Sequence, residues 1–544
     1  MKPRIRTLAA LTAASLAALL AAGCGGGGGG GGGAMPTAQP SAPPTNAPMQ
    51  DEPHETSVPI SGVVTYDSVP NTGGALNYAA TVRKPVRGAM VELLDAESNT
   101  IATATTDDKG AYTIHAPPNT SAALRIRAQM SRGGAGPGWQ VSVRDNTASD
   151  AIHAMETPPL RIGNEPIVRD LHAPSGWDGS RYASPRVAAP FAVMDAIHES
   201  QAKVLEVMPN AVFEPLRVFW SPHNVPADGN RELGQIGSTL FHDNDTGGAA
   251  IYVLGKEGVD TDEYDSAVIV HEWGHYYQAT LSRNDAPGGD HSLADSLDPR
   301  AAFSEGWANA WSGIALGRRL YTDSSGPRQE RGFSFDLSVG ARGEPGWYRE
   351  ASIHAVLWAL HEKAGLRPIH DAFAGAFGRA TALTSIHSFT AAFNQTAPQH
   401  APTLAELLSR QRISGATNDP FGAQEVNDGG LSGELGVLPL YREATLGATQ
   451  RACVTNRRGI RNKLGNHVFL RFTAPAPRTY TIQVRGPSAA DPDIAVYRAG
   501  LLASGQGFGS TETLSLPLAA GEYVVVVNDF NHSSAATCFA VTVS

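Results

Sequence analysis

The apolar positions of this chain change rhythm several times. Residues 8–20 form one continuous apolar run. From residue 58 to about 128 the apolar residues fall into short β-rich runs, 62–65, 89–93, 101–105 and 112–114, punctuated by Gly and Pro. That rhythm predicts a small β-sandwich. Between about Asp170 and Gly430 the spacing turns helical. Ser184 followed by Pro185 predicts a helix start, and the pattern carries to about Met208. Three extended runs follow, 216–220, 238–242 and 250–254, before helices resume, which predicts an α+β arrangement. The last section, 453–544, is again all β, with runs at 468–472, 480–484, 494–497 and 523–527.

Composition narrows the function classes. The chain has 544 residues, 42% hydrophobic and 7% aromatic, which excludes a wholly disordered protein. At roughly 150 residues per domain the length predicts three to four domains. Lys plus Arg is 42 against 52 Asp plus Glu, a net charge of -10, so no nucleic-acid partner is expected. Three cysteines exclude a disulfide-dense scaffold, and none is spaced as Cys-x-x-Cys. Chemistry therefore falls to His, carboxylates and hydroxyls.

The start of the chain reads as a targeting segment. Lys2, Arg4 and Arg6 precede the apolar run, and Ala21, Ala22 and Gly23 precede Cys24, the order of a secretory signal. About 13 apolar residues fall short of the roughly 20 a bilayer core requires. The end of this segment resembles a bacterial lipobox, although Leu20 lies four residues before Cys24 where that pattern places an aliphatic residue three before. The resemblance implies that Cys24 is lipidated and that the protein is anchored by its N-terminal lipid in the bacterial cell envelope, in the outer membrane or at the cell surface. A plain signal peptide cleaved nearby is the alternative. Gly25 to Gly33 and the Pro-, Thr-, Ser- and Ala-rich stretch after them cannot bury a core and read as a tether. The remaining cysteines, Cys453 and Cys538, flank the last β section and are expected to pair in an oxidising compartment, closing a loop worth at most about 4.6 kcal/mol in the chain-entropy model.

Both β sections carry family resemblances. The run Thr106-Asp107-Asp108-Lys109-Gly110-Ala111-Tyr112 resembles the turn of carboxypeptidase-regulatory-like (transthyretin-like) domains. Asp491-Pro492-Asp493-Ile494 and Gly521-Glu522-Tyr523 resemble segments of bacterial pre-peptidase C-terminal domains, β-sandwiches attached to secreted proteases. Calcium is a second candidate cofactor, through Asp107 and Asp108, Asp491 and Asp493, or the Asp243-Asn244-Asp245-Thr246-Gly247 run, although a tight turn accounts for each.

The most informative run is His271-Glu272-Trp273-Gly274-His275. On a helix, residues four apart share one face, so His271 and His275 can direct ring nitrogens at one zinc ion while Glu272 lies beside it to take a proton from water. Thr261 or Asp262 is the expected cap of that helix. A catalytic zinc site requires a third protein ligand. Glu305 supplies it from a second expected helix, with Asp298 as N-cap, Pro299 in the first turn and Gly317 beyond its end. Gly274 and Gly306, each costing about 1 kcal/mol relative to Ala in a helix, suggest close helix approach. Here the sequence resembles the gluzincin metallopeptidases of the thermolysin and fungalysin type. The resemblance covers about residues 216–317 and, in outline, the helices to Gly430. It implies zinc ligands His271, His275 and Glu305 with Glu272 as general base. Where that type has an Asp four residues after the zinc Glu, this chain has Asn309, whose amide oxygen can accept the same imidazole N–H.

An oxyanion stabiliser is also required, and Tyr348 and His354 are the candidates; His291, between the two helices, could enter the cleft, although a loop histidine is more often solvated. The expected architecture is multidomain, an α+β zincin-like catalytic core flanked by two all-β sandwich domains. Its divisions are 1–23 signal peptide, 24–57 tether, 58–130 transthyretin-like sandwich, 131–169 connecting segment, 170–430 metallopeptidase domain, 431–452 linker and 453–544 C-terminal sandwich. The expected activity is zinc-dependent endoproteolysis of a polypeptide substrate lying along a sheet edge at 238–242 or 250–254. Two rivals remain: a surface adhesion or binding lipoprotein around a non-catalytic zincin core, and a glycoprotein-directed zinc protease.

Overall fold

A computed structural model describes residues 57–245, 247–414, 417–532 and 535–544. The expected signal peptide, Cys24 and most of the tether lie outside the described residues. Among these residues no helix is long and apolar enough to cross a membrane.

The protein is multidomain and rich in β-sheet, with several sandwich-like sheets. Among the described residues the largest sheet has ten strands. The path through it runs Leu240–Asp245, Gly248–Val253, Leu216–Trp220, Trp139–Asp145, Thr120–Arg132, Ala89–Leu94, Thr100–Thr105. The first sandwich and the α+β core therefore meet inside one sheet. The joint is Trp139–Asp145, which pairs antiparallel with Thr120–Arg132 and parallel with Leu216–Trp220. This differs from the expected connecting segment at 131–169. Trp139-Gln140-Val141-Ser142-Val143-Arg144 alternates apolar and polar residues, and Val141 and Val143 are buried. The Gly-rich stretch just before it hides that period. A second, five-stranded sheet is built on Val58–Ser68.

Four helices frame the site: α1 (Ala189–Leu205), α2 (Ser266–Leu281), α3 (Pro299–Leu316) and α4 (Glu350–Ala364). The first begins later than Ser184-Pro185 suggests, with Pro190 in its opening turn. Helix α3 has the expected ends: Asp298 accepts from Arg300 N at 3.0 Å, and Gly317 is left-handed at φ 62°. The cap of α2 is neither Thr261 nor Asp262 but Asp265. Its carboxylate faces away from the helix and accepts from Asn71 Nδ2 at 2.5 Å and from Ser324 N and Oγ at 3.0 and 2.6 Å.

The C-terminal sandwich stacks a five-stranded sheet on a four-stranded one around its own core, which includes Tyr480, Ile482, Val496, Val525 and Val527. It begins before residue 453, because Tyr441–Glu443 and Thr449–Thr455, largely assigned to a linker by sequence, are strands of these sheets. Cys453 and Cys538 face each other on paired strands and form a disulfide.

Candidate metal centre

Helices α2 and α3 pack face to face, and their contact is set by small residues. A Cβ on Gly274 would stand 2.9 Å from Ala308 Cα. One on Gly306 would collide with Ile353 Cβ and lie 2.9 Å from the Glu350 carbonyl oxygen of α4. This closeness brings His271 and His275, one turn apart on α2, against Glu305 of α3.

Three donor atoms converge there. Glu305 Oε2 lies 3.3 Å from His271 Nε2 and 3.2 Å from His275 Nε2, and the two ring nitrogens are 3.2 Å apart. The far side of each ring is held: His271 Nδ1 by Asn309 Oδ1 at 3.0 Å, His275 Nδ1 by Ser304 Oγ at 3.1 Å. An amide oxygen only accepts, so His271 carries its proton on Nδ1 and turns the lone pair of Nε2 toward Glu305. A lone pair facing a buried carboxylate oxygen is an arrangement a cation relieves. The donor set, two imidazoles and a carboxylate, is one that zinc takes. Ring contact from Tyr321, 6.0 Å from His271 centroid to centroid, closes one side.

Glu272 is buried at 8% exposure. Burial pushes its carboxyl above the usual range, opposed by His271 and His275 and by a hydrogen bond from the Phe241 backbone N–H. Phe241 belongs to Leu240–Asp245, which terminates the path of the large sheet, whereas Gly248–Val253 lies inside it. Of the two expected substrate edges, the first is thus an edge and adjoins Glu272.

The oxyanion candidates are placed differently. Tyr348 is 2% exposed, and its hydroxyl bonds Asn427 Oδ1 at 3.4 Å. His354 bonds the Val339 carbonyl at 3.1 Å, stacks on Phe335, and is pushed by burial down to about 4, so it is neutral. The structure brings neither to the cluster. It brings His291 instead. The His291 side chain is 26% exposed, with Nε2 3.1 Å from Glu305 Oε2 and Nδ1 2.7 Å from Glu350 Oε2. Burial opposes its charge, but Glu305 and Glu350 outweigh burial and raise it to about 11. Burial likewise raises Glu305, and His291 with His275 overcomes it, holding that carboxyl well below its usual range. Nothing local in Gly289-Asp290-His291-Ser292 signals this position. It depends on Asn462 Nδ2 and Lys463 Nζ, which grip the Gly289 and Asp290 carbonyls at 2.9 and 2.5 Å.

No family model matches the sequence, and no curated protein matches it. Several of the similar solved structures cover about a fifth of this chain. The pre-peptidase C-terminal domain of a Bacillus anthracis collagenase is 12% identical, covers 19% of this chain and 94% of its own, and has a TM-score of 0.17. PliG, a periplasmic inhibitor of g-type lysozyme from Aeromonas hydrophila, is 17% identical over 19% of this chain and 99% of its own, with a TM-score of 0.13. A carbohydrate binding module of Cellvibrio mixtus lichenase 5A, in complex with cellotriose, is 14% identical over 18% and 88%, with a TM-score of 0.13. Likenesses at such scores define neither a family nor a function.

Proposed function

We propose that this protein is a zinc-dependent endopeptidase of gluzincin type, working outside the cytoplasm and tethered to the bacterial envelope through a lipid on Cys24. The observation that carries the enzymatic reading is the convergence of His271 Nε2, His275 Nε2 and Glu305 Oε2 beside buried Glu272. The anchor rests on residues 1–24 alone.

His271, His275 and Glu305 would hold a zinc ion, which would supply Lewis-acid polarisation of a water and of a scissile carbonyl. Glu272, buried beside the three donors, would take the proton from the attacking water and pass it to the leaving amine. His291 is held between Glu305 Oε2 and Glu350 Oε2, which sets a positive imidazolium beside the donor cluster, where it would offset the negative charge that develops on the oxyanion. This assigns to His291 the part that sequence gave to Tyr348 and His354. The polypeptide substrate extends along Leu240–Asp245, adding a strand to the open edge.

The test is metal analysis of the purified protein, with cleavage of an unfolded polypeptide measured with and without a zinc chelator. Glu272→Ala is expected to retain zinc and lose activity by about 10²–10⁴-fold. An unchanged rate sinks the assignment. Asn309→Ala is expected to weaken zinc affinity by about 10–100-fold, read by competition with a chromophoric chelator.

A further inference from the structure

A second group of metal-ligating side chains lies just before α2. Asp260 sits in the short strand Asp260–Thr261, Asp262 follows it, and Asp323 closes the strand Leu320–Asp323. One carboxylate oxygen from each lies within 4.8 Å of the other two. Asp262 is 3% exposed. One of its oxygens accepts from Thr239 Oγ1, while Oδ1, fully enclosed, meets no hydrogen-bond donor; the same holds for Asp260 Oδ1. The arginines nearby are committed elsewhere. Arg186 bonds Glu263 and the Gly255 carbonyl, and Arg318 bonds Ser266 Oγ.

Like charges at this spacing are costly when water is excluded. Burial first, then the neighbouring carboxylates, raise Asp260 and Asp323 to about 7, and Asp262 rises by the same causes. Two arrangements relieve such a cluster: shared protons or a cation. Asp260 and Asp262 are close enough to share a proton, and with Asp323 bringing a third oxygen to the same place the three can instead ligate one cation. All donors are hard oxygens, and calcium, at 2.3–2.6 Å from each ligand, spans ligand pairs up to about 5 Å apart.

We propose that Asp260, Asp262 and Asp323 form a calcium site that braces the metal centre from outside. This goes beyond the proteolytic reading and stands independently of it. Asp262 holds Thr239, next to the strand whose Phe241 N–H faces Glu272. Asp323 ends the strand whose Tyr321 ring rests against His271. The cation thus ties the sheet edge, the approach to α2 and the Leu320–Asp323 strand together.

The experiment uses the purified full chain, stripped with EGTA and kept at constant zinc, titrated with calcium chloride by calorimetry and followed by thermal unfolding. The expected result is saturable calcium binding with a Tm that rises with calcium concentration. The double variant Asp262→Asn/Asp323→Asn is expected to bind calcium at least tenfold more weakly at this site, to lose the Tm rise, and in EGTA to unfold no earlier than wild type, because the repulsion is gone. If the double variant does not fold, Asp323→Asn carries the same comparison. Absence of calcium binding to wild type overturns the proposal in favour of shared protons. A calcium response of full size in the variant also overturns it, by placing the ion elsewhere, for instance near Asp491 and Asp493.

Discussion

The two β regions that flank the helices look alike in sequence and behave differently in space. Strands from the first region enter the sheet of the core, and one apolar cluster runs without a break from Val58 to Leu464. The second closes its own core and adds the Cys453–Cys538 disulfide; it meets the helical part through a face with Phe469, Tyr497, Val524 and Val526 against Leu383 and Phe421, and through Asn462, Lys463 and His467. Strand rhythm reports strands, and it does not report where a sheet stops. A domain boundary is fixed by whether a region's own strands cover its edges and faces.

The largest expected difference is in separability. Residues 440–544 expressed alone should show a cooperative thermal transition and β-type circular dichroism. Deletion of residues 57–173 should abolish cooperative unfolding of the rest, because Leu216–Trp220 loses its partner strand and α1 its cover. A well-folded deletion product would break the contrast. Next in size is the disulfide: Cys453→Ser/Cys538→Ser should destabilise the C-terminal transition by up to about 4.6 kcal/mol and leave the core transition where it was. A common shift of both transitions would mean that the sandwich is not autonomous.

The contact between the two units offers a smaller test. Asp298, at the start of α3, binds Arg300 Nε and Nη2 at 2.9 and 3.0 Å and His467 Nδ1 of the sandwich at 2.9 Å. Asp298→Ala leaves Arg300 buried without its partner and should cost about 3 kcal/mol in global unfolding. The milder form is pH. Burial raises Asp298, but Arg300 and His467 outweigh it and hold it far below the usual carboxylate range. Burial and Arg300 together lower His467. The folded state thus keeps the carboxylate charged and the imidazole neutral. Stability from His467 is present above its unfolded pKa of about 6.5 and falls as pH drops through that value. Stability from Asp298 falls only below about 4. Denaturant titrations between pH 7.5 and 3.5 should show the first loss in wild type and its absence in His467→Gln.

Much of the centre was legible in the chain. His271 and His275 lie four apart, Glu305 follows on a helix with its own cap and stop, and Asn309 is one turn beyond Glu305; each relation lies within a single helix, where spacing dictates facing. Gly274 and Gly306 announced close packing, though Gly306 turns out to admit α4 rather than α2. His354 illustrates the opposite case. Its helical position left several faces open, and packing against Phe335 decided among them.

By itself the sequence determined the helices, the strand rhythm, the histidine pair on one face of α2 and the carboxylate candidate on α3, because hydrophobic period, caps and i,i+4 spacing act over a few residues. Only the tertiary structure decided that Trp139–Asp145 joins two expected domains into one sheet, that a loop histidine held by Asn462 and Lys463 reaches Glu305, and that Asp262 and Asp323 meet. Those outcomes depend on loop closure and on which sheet edges remain open, quantities that the whole chain sets together.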